Sequence, residues 1–128
     1  MSLIVRAFPV RSSVEDLKTF ASALSNERGA ETAAFYRRYG IVHESWHLQE
    51  TPEGRWVIAV TSIDDVDEAT PRYVESSTEF DRWFKNRVME VTGINPDAQP
   101  LGPPTTQVFE WSDERRPGSD LCAKRAGA

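Results

Sequence analysis

The 128-residue chain has one cysteine, two histidines and two methionines. A single thiol, Cys122, excludes an internal disulfide and makes a reducing cytoplasm the default compartment. No stretch approaches the run of about 20 apolar residues that a membrane-spanning helix requires. In the opening MSLIVRAFPVRSS the apolar run is short, is broken by Arg6 and has no basic leader, so it is expected to be a strand and not a signal peptide. Basic charge is also scarce: 15 Lys and Arg against 20 Asp and Glu give a formal charge of -5. Phosphate binding needs clustered cations, so a nucleic-acid partner is disfavoured. No P-loop, GxGxxG, GxSxG, HExxH or CxxC occurs, which leaves nucleotide, serine-hydrolase, zincin and thioredoxin-type readings without their motif.

What remains is an ordinary hydrophobic complement in a chain long enough for one domain with a real core. LIVRAFPV, residues 3–10, is short and β-branched and reads as a strand near the centre of a sheet. Ser12-Ser13-Val14-Glu15 has capping-box spacing, and Leu17, Phe20, Ala21 and Leu24 follow at helical intervals. A second run with Ala30, Ala33, Ala34 and Tyr36 continues to Gly40, so one long helix, kinked at Gly29, is expected. Residues 41–50 and 55–63 flank Thr51-Pro52-Glu53-Gly54 and form a hairpin. A three-residue loop with a bulge at Gly54 would pair Trp46 with Val60 and Leu48 with Ile58. One face would then carry Val42, Trp46, Leu48, Trp56, Ile58 and Val60 with Glu44. The other would carry His43, Ser45, His47, Gln49, Val57, Ala59 and Thr61. Residues 64–77 are polar, with room for a short helical turn. Ser76-Ser77-Thr78-Glu79 repeats the capping-box spacing before a second amphipathic helix that ends at Gly93. Four prolines mark residues 95–104 as a connection, and 105–111 reads as a last strand at a sheet edge.

The order strand, helix, strand, strand, helix, strand predicts an α+β, ferredoxin-like βαββαβ domain over residues 1–112 with a four-stranded antiparallel sheet, followed by a polar tail over 113–128. Both hairpin faces carry apolar groups, which predicts burial of the second face in a homodimer. With that element order, the passages GIVHESWHLQETPEGRWVIAV and STEFDRWFKNRVMEVTG resemble the dimeric α/β-barrel superfamily over residues 2–111. That superfamily includes the antibiotic biosynthesis monooxygenases, the stress-responsive barrel proteins and several uncharacterised bacterial branches, and one of the last is the nearest in character. The resemblance implies a dimeric α/β barrel and, in the monooxygenase branch, cofactor-free oxidation in the cleft between sheet and helices.

The chemistry-bearing residues cluster in the hairpin. His43 and His47, four apart on a strand, share a face but stand roughly 13 Å apart at about 3.3 Å per residue, too far to share one metal ion. No metal site and no tightly held cofactor are expected. Either histidine could serve as a general base. Glu44 among tryptophans and aliphatics needs a partner, and Arg6 on a neighbouring strand is the one to suspect; together they could orient a polar ligand. Trp46, Trp56 and Trp111 could line a small-molecule pocket or pack in a core or interface. The leading expectation is a homodimer that binds a small, partly apolar organic molecule in the sheet cleft. Its enzymatic version is a cofactor-independent oxygenase, isomerase or lyase, and its alternative is a non-catalytic dimerisation or ligand-sensing module.

Overall fold

The computed structural model describes residues 1–113; the tail beyond them, with Cys122, lies outside the described residues. The strand β1 (Ser2–Pro9) is followed by α1 (Val14–Ser25), α2 (Gly29–Arg38), β2 (Ile41–Thr51), β3 (Gly54–Ile63), α3 (Val66–Glu75) and α4 (Glu79–Thr92). The three strands form one antiparallel sheet in the order β1-β3-β2, with the helices on one side of it.

This corrects the expected four-stranded ferredoxin-like sheet. Residues 105–111 enter no ladder. Pro103 and Pro104 carry no N–H, and the Thr105 hydroxyl donates to the Val5 carbonyl on the open edge of β1, where a backbone amide would serve in a ladder. Beyond that contact Val108, Phe109 and Trp111 stand in solvent. β1 is accordingly an edge strand and not a central one.

The helices also differ from expectation. The single long helix is two. The α1 cap is Ser13, whose hydroxyl accepts from the Asp16 amide, and the helix stops at Asn26, whose φ/ψ of -118°/-83° leaves the helical region. α2 restarts after Arg28, whose side chain is committed elsewhere. Its guanidinium pairs with Glu31 and Glu79 and lies 4.5 Å from the Trp83 ring centroid and 5.0 Å from that of Phe80. The junction is thus pinned to α4. The polar segment 64–77 forms the full ten-residue α3, capped by the Asp65 carboxylate on the Glu68 amide. The α4 cap is Thr78, which accepts from Asp81, and Gly93 closes the helix at φ +75°.

The helices meet the sheet through aromatic rings. Phe35 lies 4.7 Å from Phe84, 5.2 Å from Tyr39 and 5.3 Å from Phe80, centroid to centroid. Phe20 bridges Trp46 on β2 at 5.3 Å and Phe84 on α4 at 5.4 Å. Edge-on and tilted pairs of this kind add about 0.5–1.5 kcal/mol each beyond their area burial.

Asp81, in the first turn of α4, is wholly enclosed. Its carboxylate accepts from the Tyr39 hydroxyl and from Arg38 Nη2, both at 2.6 Å, so it ties the end of α2 to the start of α4. Burial alone would push its carboxyl up, but hydrogen bonds from Ser76, Tyr39 and Arg38 outweigh that and hold it below its ordinary 3.8. Asp81→Ala strands the Tyr39 hydroxyl and half-exposed Arg38. It is expected to cost about 2–4 kcal/mol, read as a lower urea midpoint at unchanged slope.

Candidate functional site

The hairpin turn decides what faces the helices. Thr51 pairs with Gly54, so the loop holds two residues, Pro52 and Glu53, and not three. The Thr51 hydroxyl closes the turn by donating to the Gly54 carbonyl and accepting from the Glu53 amide. The register is therefore shifted by one from expectation: Trp46 opposes Ala59, Leu48 opposes Val57 and Glu44 opposes Thr61. Even positions of β2 share a face with odd positions of β3, and a one-residue slip exchanges every side chain of a strand between faces. β1 continues the rows, with Arg6 beside Ala59, Ile4 beside Thr61 and Phe8 beside Val57. A bulge between Ile41 and His43 then turns Ile41 inward opposite Ile63 and leaves Val42 in solvent.

Between this face and the helices is a cavity of about 140 Å³. Its floor is Arg6, Glu44, Trp46, Ala59 and Thr61; Phe20, Phe35, Tyr36, Tyr73 and Phe84 form the helical side. Pro96, Gln99, Pro100 and Leu101 close it beside β1. That closure requires Gly102, at φ +81°, because a Cβ there would clash with the Phe8 ring.

Most of the cavity's polar groups are already satisfied. The Thr70 and Thr92 hydroxyls donate to carbonyls of their own helices, Val66 and Val88. Glu44 accepts from the Thr61 hydroxyl at 2.6 Å and from the Trp46 indole N–H at 2.7 Å. Burial raises the Glu44 carboxyl above its ordinary 4.5, and those two hydrogen bonds offset only part of the rise. Burial, with the nearby Glu44 charge, also pushes the Tyr36 hydroxyl well up, so it is a donor and not a base.

Arg6 does not pair with Glu44. Its Nη1 donates to the Val5 carbonyl at 3.2 Å, while Nε is sealed from solvent without an acceptor. No carboxylate lies within ion-pair distance of Arg6 among the described residues. Desolvation lowers its pKa accordingly.

Of the residues singled out in the sequence, Arg6, Glu44 and Trp46 line one cavity. His43 and His47 are exposed on the opposite face, where Ser45 Oγ lies 3.0 Å from His47 Nε2. Trp56 is outside the cavity and half-exposed, and Trp111 is 72 % exposed in the terminal segment. No group of three or more His, Cys, Asp or Glu could hold a metal ion among the described residues. No helix among them is long and apolar enough to cross a membrane. Tyr36 and the Thr61 hydroxyl under Glu44 were missed as site residues. Tyr36 reads from sequence as one more position in a helical run, and Thr61 is assigned to Glu44's face only once the turn length is known. No family model, curated protein or solved structure matches the chain.

The two buried carboxyls act oppositely on stability. Glu44 keeps its proton in the folded state where the unfolded chain has lost it. Its contribution is therefore complete below pH 4.5 and is lost as pH rises through the folded pKa. Asp81 contributes above 3.8 and loses that contribution as pH falls through its depressed pKa. Glu44→Gln should flatten the decline of the urea midpoint above pH 4.5 while leaving the acid limb intact. A decline as steep in the variant as in the parent assigns the effect to another group.

Proposed function

We propose that the protein binds a small, partly apolar organic molecule in the cavity between the sheet and the helices. The observation that carries this reading is an aromatic-walled space holding an arginine whose buried Nε has no acceptor. Ligand cavities are apolar with a few aimed polar groups. An apolar cavity of about 150 Å³ is sufficient for benzene, so the body of the ligand is a single ring or a short chain. Binding is supported over turnover by a histidine, because both histidines lie on the far face of the sheet. A single cysteine supports a reducing compartment such as the cytoplasm as its location.

Ala59 is the central floor residue, between Arg6 and Trp46, and gives a direct test. Ala59→Leu fills the space, so toluene should raise the melting temperature of the parent and leave that of the variant unmoved. Equal shifts in the two proteins would place the toluene elsewhere and remove the cavity from the proposal.

The same reading includes a homodimer formed through the outer sheet face. Leu3, Val5 and Trp56 on that face are 45 %, 37 % and 38 % exposed, with Val5 opposite Val60 and Trp56 on the same side of β3 as Ile58 and Val60. Three strands of this length present a face of roughly 30 by 14 Å, or about 400 Å². Stable interfaces need about 800 Å² per partner. Val108, Phe109 and Trp111, exposed just past the Thr105 anchor on β1, supply the additional apolar surface. A second copy of this chain, offering both the face and the segment, is the occupant that matches. Sedimentation at micromolar concentration is expected to give a dimer, with Trp56→Glu monomeric and folded. A monomeric parent would end this part of the proposal.

A further inference from the structure

Resting on the cavity reading above, the geometry points to a small monocarboxylate of benzoate size as the ligand class, with its carboxylate on Arg6 and its apolar body over Ala59 against the aromatic wall. The guanidinium has two edges for hydrogen bonding. Nη1 donates to the Val5 carbonyl at 3.2 Å, an acceptor it shares with the Thr105 hydroxyl. Nε and Nη2, the side-on edge, have no acceptor among the described residues, and Nε is closed to a water-sized probe, so a carboxylate engages this edge only with a turn of the Arg6 side chain toward the cavity. A buried N–H that water cannot reach and no protein group accepts is costly. Two parallel N–H donors match the two oxygens of a carboxylate, an arrangement stronger and more selective than a single neutral hydrogen bond.

The other cavity groups reinforce the choice of an anion. Glu44, the one acidic side chain in the lining, is engaged by Thr61 and Trp46 and is two strands and one row away from Arg6, roughly 12 Å between Cα positions at normal sheet spacings. It does not neutralise the guanidinium, so a cationic ligand would meet an uncompensated positive charge. The Thr70 and Thr92 hydroxyls are spent on their helices and offer no competing donors. Ala59 between Arg6 and Trp46 leaves the floor open where a larger side chain would close it. A volume of about 140 Å³ then matches a body of one ring or a comparable chain.

Isothermal titration of the full chain with benzoate, toluene and benzylamine separates the head group from the body. Benzoate is expected to bind at least ten-fold tighter than toluene, and benzylamine weaker than either. Arg6→Met, which keeps length without charge, should bind toluene as the parent does and lose the benzoate advantage. Arg6→Lys, which keeps the charge without the fork, should retain only part of it and remains informative if the methionine variant folds poorly. Toluene bound with benzoate no tighter, or a benzoate advantage that survives both substitutions, overturns the carboxylate assignment and leaves the cavity standing. Binding of none of the three overturns the cavity reading and this inference with it.

Discussion

The inner face of this protein depends on the length of one turn. With two residues, Pro52 and Glu53, between paired Thr51 and Gly54, an even position of β2 always meets an odd position of β3. Glu44 and Trp46 therefore turn inward with Val57, Ala59 and Thr61, and both histidines turn outward. One more residue in the loop would pair even with even and exchange Ala59 for Ile58 or Val60 on the floor. The cavity exists because the small residue falls on the helical side. The bulge at Ile41 extends the effect by placing Ile41, and not Val42, against the helices.

The roof is held over this floor by groups that also shape the helices. Arg28 sits where α1 ends and α2 begins, and its attachment to Glu79, Phe80 and Trp83 draws that junction onto α4. Asp81, in the first turn of the same helix, takes the other end of α2 through Arg38 and Tyr39. α2 is thus anchored at both ends, and Phe35 and Tyr36 between the anchors both line the cavity while packing in or against the core. Phe20 completes the closure by contacting Trp46 from above. Polar anchors at the rim and rings at the centre allow a space in the middle without loss of order around it.

Much of the secondary structure was legible because it depends on local chemistry. The β-branched opening, the two capping-box spacings, the Pro-Gly turn and Gly93 each act within four residues, and each element they imply is present, although the caps are Ser13 and Thr78 and not the first serines of the two boxes. The errors lie where local signals are balanced. Asn26 to Gly29 is compatible with a kinked helix or with two helices, and the long-range ties of Arg28 accompany the second outcome. Residues 64–77 have too few apolar positions to announce a helix, but Ala69 and Tyr73, one turn apart, are both buried and give α3 its inner face. Residues 105–111 have the threonine, valine and aromatic content of a strand, yet a strand requires a ladder partner, and the Pro103-Pro104 pair delivers the chain to β1 by a side-chain contact alone.

Of the candidate site, Arg6, Glu44 and Trp46 were legible because a charge or an indole among β-branched residues is unusual wherever the strand lies. The sequence by itself determined these residues, their alternation along each strand and the presence of a hairpin between Thr51 and Gly54. Tertiary structure alone decided that Arg6 and Glu44 share a cavity without sharing a hydrogen bond, and that the histidines lie outside it. The physical reason is that alternation assigns side chains to two faces but does not say which face the helices cover. That choice is settled by cross-strand register and by contacts between residues far apart in the chain, such as the rings of Phe20 and Trp46 and the hydrogen bond from the Tyr39 hydroxyl to Asp81.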